Sequence, residues 1–154
     1  MENMPEGISP LSNIHHVGAI VRDVDKTAAY FESLGMGPFE PLIVSGENER
    51  IRGRLIDDLE LKIKMGRIGL IRWELIEPVA GEESIWKEFL ESKGEGIHHL
   101  AFEVNDIEKA KADLIEKRLN LIFSAKFNKT GGAAYFETDR VGCLVLELFQ
   151  PPQE

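Results

Sequence analysis

The chain has 154 residues, of which 43% are hydrophobic and 29% are charged. This length and composition are typical of one compact globular domain, and no apolar run approaches the roughly 20 residues that a membrane-spanning helix requires. The formal net charge of −9 argues against a general nucleic-acid-binding protein, because such a protein needs a basic surface to neutralise phosphates. The lone cysteine, Cys143, excludes an internal disulfide, and the N-terminal segment lacks a signal-peptide pattern. We therefore predict a cytoplasmic protein that binds neither membranes nor nucleic acid.

In chain order, the first half of the sequence predicts a strand, a helix and several further strands. Residues 14–21 alternate and are rich in Ile and Val, which is typical of a strand. Asp23 or Asp25 can cap the helix that follows. This helix is predicted from Lys26 to about Leu34. Strand-like runs then lie near 39–45, 50–56, 60–65 and 68–77.

The second half repeats this order after a connecting helix. An amphipathic pattern predicts the connecting helix at 83–93. A strand is then predicted at 97–104 and a helix at 106–117. Three further strands are predicted near 121–127, 133–138 and 143–149.

The two halves also share sequence at one constant offset. The first opens with IHHVGAIVRDVDK and the second with IHHLAFEVNDIEK, so that Ile, both His, Val, Asp and Lys recur. Their closing segments, 69–78 and 142–151, each place a glutamate within an apolar run. Such a repeat predicts a duplicated module with pseudo-two-fold symmetry. We predict a single domain, 1–154, made of a first module at 12–80, a linking helix at 81–95 and a second module at 96–151.

Strand parity assigns the two histidines of each pair to opposite faces, because side chains alternate across a strand. In each module the first His shares its face with an apolar row, which predicts that His15 and His98 pack beneath the helices. The second His is followed on its own face by a small residue, Gly18 or Ala101, which leaves room beside it. The closing glutamates can share that face. The most economical arrangement places four side chains on one concave surface: His16, Glu74, His99 and Glu147.

Two imidazoles and two carboxylates suit one divalent metal ion, with positions left open for substrate and water. Taken singly, each histidine could be a satisfied polar residue and each glutamate could lie at a sheet edge. Their recurrence at matched positions favours the metal site, since a charged carboxylate within an apolar strand is costly unless it is paired or bound to metal. We therefore predict one divalent ion (Co, Zn, Mn or Ni) as cofactor.

A duplicated strand–helix–three-strand module with these His and Glu positions resembles the vicinal oxygen chelate superfamily. This group includes glyoxalase I, extradiol dioxygenases, fosfomycin and bleomycin resistance proteins, and methylmalonyl-CoA epimerases. The resemblance extends over 14–150, and the stretch 74–99 is most similar to the epimerases in order and spacing. It implies an α+β fold in which two tandem βαβββ modules form a curved, mostly antiparallel sheet around a metal-binding cavity. It also implies ligands at the four positions selected by parity.

The resemblance implies metal-dependent epimerisation of a 2-substituted acyl-CoA, above all methylmalonyl-CoA, through an enolate. Glu147 then serves as a base as well as a metal ligand. For the second acid/base we favour Asp58, although a solvated acidic turn explains that residue equally well. The alternatives are a lactoylglutathione lyase (glyoxalase I), which is similar in its ligand set, and a non-catalytic member that sequesters a ligand. The paired sheets of the family predict a homodimer.

The segment 50–72 is basic within an acidic chain. It carries seven Lys or Arg residues against three acidic residues, whereas the whole chain has a net charge of −9. Alternation of Arg50, Arg52 and Arg54 predicts a phosphate-facing row for CoA, and a strand face kept soluble by charge is an equal alternative. Arg72 shares its parity with Glu74, so we predict that it binds a substrate carboxylate or pairs with a glutamate.

Overall fold

A computed structural model describes residues 9–44, 46–127, 130–138 and 142–153. The N-terminal segment 1–8, in which the sequence predicts no signal, lies outside these residues. The helices are α1 (Val24–Ser33), α2 (Ile85–Lys93) and α3 (Ile107–Glu116). The strands are β1 (Ile14–Ile20), β2 (Glu40–Pro41), β3 (Gly46–Ile51), β4 (Arg54–Leu55), β5 (Glu60–Ile68), β6 (Ile71–Ala80), β7 (Gly96–Glu103), β8 (Asn120–Phe127), β9 (Gly132–Glu137) and β10 (Val145–Gln150). Among the described helices, none is long and apolar enough to cross a membrane.

The strands form one mixed sheet in the order β2-β5-β6-β1-β7-β10-β9-β8-β3-β4. Within the two modules, β1 pairs in parallel with β6, and β7 pairs in parallel with β10. The modules meet where β1 and β7 pair in antiparallel orientation. The predicted α+β fold with a curved, mostly antiparallel sheet is confirmed. The opening strands of the two modules, β1 and β7, lie next to each other in the middle of the sheet, so side chains from both modules can reach the same point.

The helices begin where the repeated sequence provides a cap. Asp23 accepts a hydrogen bond from the backbone N–H of Lys26, so it caps α1, and Asp25 does not. At the matched position of the second module, Asp106 caps α3 through Lys109. In both helices the aspartate therefore provides a hydrogen-bond acceptor to a backbone N–H of the first turn, which has no partner within the helix. Both helices cover the outer face of the sheet with apolar residues, which leaves its inner face for the cavity.

The run predicted as one strand at 50–56 is a hairpin, and this corrects the sequence analysis. Arg52 and Gly53 both adopt positive φ, of 48° and 82°, which turns the chain back between β3 and β4. Two such residues form the tight turn that suits a hairpin, and glycine adopts this backbone without strain. The hairpin leaves the first module, because β3 pairs with β8 of the second. The two modules therefore differ in this hairpin.

Candidate metal centre

Four central strands each provide one buried polar side chain to the same point. His16 comes from β1, Glu74 from β6, His99 from β7 and Glu147 from β10. One ligand atom from each residue lies within 4.8 Å of every other. The structure therefore brings together the four residues that strand parity selected.

The small residue that follows each metal-facing histidine lies opposite the metal-facing histidine of the other module. Gly18 faces His99 across the β1–β7 pair, and Ala101 faces His16. A Cβ atom at Gly18 would lie 2.6 Å from Nδ1 of His99 and closer still to its Cε1 and Nε2. The absence of a side chain at Gly18 therefore creates the space that His99 occupies.

The separations between the four ligand atoms suit one ion. Nε2 of His16 lies 3.1 Å from Oε2 of Glu147 and 3.5 Å from Oε1 of Glu74. The corresponding distances from Nε2 of His99 are 3.1 and 3.4 Å. Ligands about 2.1 Å from a common ion, with bonds about 90–110° apart, are separated by about 3.0–3.4 Å. All four atoms are buried, and none has a hydrogen-bond partner among the described residues. Their donor set and convergence fit a divalent metal ion.

Each metal-facing histidine also contacts the histidine before it. Nδ1 of His15 lies 2.9 Å from Nδ1 of His16, and the same distance separates Nδ1 of His98 from Nδ1 of His99. His98 is buried, as predicted for a packing residue, with Phe89 against its ring. His15 differs from the prediction because the β1–β7 register shifts between Ile14 and His16. It is half-buried and lines the cavity instead of lying under a helix.

The two carboxylates hold protons on the metal-facing imidazoles when no ion is bound. Burial lowers the pKa of His16, but close contact with Glu147 and Glu74 outweighs burial and raises it to about 10. The pKa of His99 is raised by the same two carboxylates against the same effect of burial. Burial raises the pKa of Glu74, but the two imidazoles outweigh it and hold the pKa well below its usual range. By contrast, burial lowers the pKa of His98 to about 3, so its ring is neutral.

The stability of the metal-free protein should decline in alkaline solution. A raised histidine pKa contributes stability that is fully present below the ordinary value of 6.5 and is lost as the pH rises through about 10. A lowered glutamate pKa contributes stability that is present above the ordinary value of 4.5 and is lost in acid. We expect the Tm of metal-free protein to be highest at about pH 5–6 and to fall towards about pH 9.

Zinc should reverse this trend because a metal ion displaces the imidazole protons. The rise in Tm on adding zinc is therefore expected to be larger at about pH 8 than at about pH 6. The measurement is thermal unfolding with and without zinc at each pH, with magnesium as a control for ionic strength. A zinc-induced shift that is the same at both pH values would contradict the protonation described above.

The cluster borders a cavity of about 520 Å³. His16, Glu74 and Glu147 line one part of its wall. Much of the remaining wall is apolar and aromatic, including Trp86 and Tyr135. Such a cavity combines a buried polar centre with apolar surface, which is typical of sites for small molecules.

Sequence comparison assigns the chain to a family. A profile of the glyoxalase/bleomycin resistance protein/dioxygenase superfamily matches residues 15–136, which include three of the four clustered side chains. The chain belongs to this superfamily. The resemblance inferred from the duplicated His and Glu positions is thereby confirmed.

Individual proteins are similar over nearly the whole chain. The uncharacterized protein YqjC of Bacillus subtilis is 22% identical over 146 residues, covering 92% of this chain and 94% of that protein. The mitochondrial methylmalonyl-CoA epimerase of Bos taurus is 25% identical over 143 residues, covering 91% and 75%. A variant of Streptomyces coelicolor methylmalonyl-CoA epimerase in complex with 2-nitronate-propionyl-CoA has a TM-score of 0.68 at 20% identity, covering 93% and 99%. At this identity the structural likeness shows the superfamily fold.

Of the predicted residues outside the metal cluster, Arg72 lines the cavity and Asp58 does not. Arg72 is half-buried and donates a hydrogen bond to the backbone carbonyl of His15. Asp58 is exposed, is absent from the cavity wall, and accepts a hydrogen bond from the backbone N–H of Glu82 at 2.8 Å. The structure therefore gives Asp58 the geometry of a turn residue, which was the alternative explanation.

Glu49 is a cavity carboxylate that sequence reasoning missed. It lies on β3, is partly buried, and lines the same cavity as the metal-facing side chains. Burial raises the pKa of its carboxyl group. The β3–β8 register shifts between Glu47 and Arg50, and Asn48 adopts a φ of 50°. This bulge re-aims Glu49, so the alternation of the sequence contained no usable signal for it.

The predicted row of arginines is not formed. Arg52 makes two hydrogen bonds to the carboxylate of Glu88, at 2.9 and 3.2 Å, and Arg54 is paired with Glu83. The turn at 52–53 separates these side chains, because it ends the strand on which they were expected to alternate. These two arginines are thus paired with acidic residues of the first half of α2 and the turn before it.

Proposed function

We propose that the protein is a metal-dependent epimerase of a 2-substituted acyl-CoA, with methylmalonyl-CoA as the first candidate substrate. The observation that carries the proposal is the cluster of two imidazoles and two carboxylates at the wall of a largely apolar cavity. Two of the similar proteins are named methylmalonyl-CoA epimerases, and one of them is in complex with an acyl-CoA analogue. These likenesses support the proposal.

The four clustered residues would hold the ion: His16, Glu74, His99 and Glu147. A bound divalent ion supplies Lewis acidity, which stabilises negative charge on a thioester or carboxylate oxygen. The protein fixes the position of this charge because the four side chains are buried and come from paired strands. Arg72 lies on the cavity wall, where its guanidinium can bind a substrate carboxylate.

Epimerisation needs two acid/base groups that act on opposite faces of the α-carbon. In one direction Glu147 removes the α-proton, the electron pair moves into the thioester carbonyl, and an enolate forms. Protonated Glu49 then gives its proton to the other face, which restores the C–H bond with inverted configuration. The reverse direction exchanges the two roles, so no proton is gained or lost. Burial raises the pKa of the Glu49 carboxyl group, which favours the protonated form that donates in this step.

Proton exchange at the α-carbon tests the function. Zinc- or cobalt-loaded protein in D₂O is expected to replace the α-proton of methylmalonyl-CoA with deuterium. NMR measures this replacement over time. The exchange should disappear after chelation and in His99→Ala. Absence of exchange with a loaded metal site, together with turnover of the methylglyoxal–glutathione adduct, would favour the lactoylglutathione lyase. Absence of both reactions, with ligand binding retained, would favour a sequestering protein.

A pair of variants distinguishes Glu49 from Asp58 as the second acid/base. Glu49→Gln is expected to reduce the rate at which one epimer is converted into the other by about 10²–10⁴-fold, the usual contribution of a general acid or base. Asp58→Asn serves as the matched control and should retain nearly full activity, because its carboxylate caps a turn. The measurement is circular dichroism of a single epimer over time. Loss of activity in Asp58→Asn alone would restore the assignment made from the sequence.

The homodimer and the cytoplasmic location remain predictions.

A further inference from the structure

We propose that His15 and His98 are positioning residues, each of which accepts a hydrogen bond from the metal-binding imidazole that follows it. The observation is the pair of Nδ1–Nδ1 contacts at 2.9 Å, one in each module. Both contacts arise from the duplicated His-His sequence. The inference rests on the metal site of the proposed function but not on its substrate.

The direction of each hydrogen bond follows from the chemistry of imidazole. A neutral imidazole has one N–H and one lone pair, and a metal ligand must present its lone pair to the ion. Nε2 of His99 converges with the other ligand atoms, so the proton of this ring must reside on Nδ1. Two nitrogens at hydrogen-bond distance cannot both carry the bridging proton. Nδ1 of His98 is therefore the acceptor, and the proton of its ring resides on Nε2.

The same argument assigns the contact in the first module. Nε2 of His16 is the atom that converges on the cluster, so its Nδ1 carries the proton. Nδ1 of His15 then accepts that proton in the hydrogen bond. The two outer histidines thus have one tautomer, and the two metal-binding histidines have the other.

Packing holds the accepting rings in place. The ring of His98 is buried, with its centroid 4.9 Å from that of Phe89 and 6.3 Å from that of Tyr135. The ring of His15 lies 4.8 Å from that of Phe149. A ring that is fixed by neighbours fixes the orientation of the imidazole that donates to it, which is how outer residues set the geometry of metal ligands.

The accepting group also affects the charge of the ligand. Metal-binding histidines usually donate to a carboxylate or a backbone carbonyl, which increases the electron density on the ligating nitrogen. A neutral imidazole carries no negative charge and increases this density less than a carboxylate does. The arrangement therefore orients the ligands while leaving the ion a stronger Lewis acid than it would be with carboxylate acceptors.

The tautomers can be measured in the unaltered protein. In zinc-loaded protein, long-range ¹H–¹⁵N NMR should show His16 and His99 protonated at Nδ1, and His15 and His98 protonated at Nε2. Protonation of His98 and His15 at Nδ1 would overturn the inference. Failure of the parent protein to bind zinc would overturn the metal site itself, which is a different result.

Two substitutions at one position test the positioning role. His98→Phe keeps a ring in the packed site but removes the acceptor, and it should weaken zinc binding by about 10–100-fold. His98→Asn places an amide oxygen near the position of Nδ1 and should recover most of that loss. The readout is the Kd for zinc, measured by competition with a chelator. An unchanged Kd in His98→Phe, or no recovery in a folded His98→Asn, would overturn the inference while leaving the proposed function intact.

Discussion

Gly18→Ala is expected to abolish high-affinity binding of divalent metal, whereas Gly96→Ala should leave it unchanged. The added methyl group of the first variant would overlap the ring of His99, because its Cβ would lie 2.6 Å or less from three ring atoms. Carbon atoms normally remain about 3.5–4.0 Å from their neighbours, so the ring must move by more than 1 Å. A displaced Nε2 cannot share an ion with the other three ligands. The Kd for zinc measures this loss.

Gly96 provides the matched control because it lies on β7, as His99 does, and a Cβ there would have no neighbour within 4 Å. Overpacking at Gly18 should also cost about 1–3 kcal/mol of the free energy of unfolding, which is compatible with a folded protein. Circular dichroism establishes that both variants are folded. Tight zinc binding by folded Gly18→Ala would contradict the assigned position of His99.

For the epimer whose α-proton faces Glu147, Glu147→Gln is expected to reduce α-proton exchange by about 10²–10⁴-fold, while Glu74→Gln should reduce it far less. Both substitutions keep a neutral oxygen that can bind metal, and both remove one negative charge from the cluster. They differ in function, because the proposed reaction uses the Glu147 carboxylate as a base and the Glu74 carboxylate only as a ligand. Because each variant keeps a ligating oxygen and loses one negative charge, zinc affinity should fall to a similar extent in both.

The comparison is made at saturating zinc, with deuterium incorporation into methylmalonyl-CoA as the readout. Metal content is measured on the same samples, so that loss of the ion is distinguished from loss of the base. Equal exchange rates in the two variants would contradict the role of Glu147. A larger loss of exchange in Glu74→Gln would assign the role of base to Glu74 of the first module.

The metal cluster could be predicted because it depends on local and repeated features. Alternation along β1 and β7 places His16 and His99 on one face, and duplication relates the two strands to each other. The glutamates follow from the same parity in the closing strands. These signals extend over short segments, and the constant offset of the repeat relates strands whose facing residues, such as Gly18 and His99, lie far apart in sequence.

The asymmetric half of the site could not be predicted, for physical reasons that differ between residues. Glu49 faces the cavity because of a bulge, and a single inserted residue reverses the parity of everything after it. The pairing of β3 with β8 joins segments far apart in sequence, so no local pattern reports it. The position of His15 on the cavity wall likewise depends on a shift in register between β1 and β7.

The hairpin explains how a symmetric metal site can serve an asymmetric substrate. It lies in the first module but extends the sheet of the second, and it places Glu49 on the cavity wall. The second module contributes no equivalent hairpin among its described residues. The two modules therefore contribute differently to the cavity wall, although the ligands of the ion come equally from both modules.

Anomalous X-ray diffraction from crystals grown with cobalt tests the central claim most directly. The structure predicts one anomalous peak per chain, within coordination distance of the four ligand atoms: Nε2 of His16, Nε2 of His99, a carboxylate oxygen of Glu74 and a carboxylate oxygen of Glu147. Data collected on either side of the cobalt absorption edge identify the element. Full occupancy at this point would establish that the duplicated modules share one ion. A peak elsewhere, or no peak in crystals that contain excess cobalt, would contradict the account.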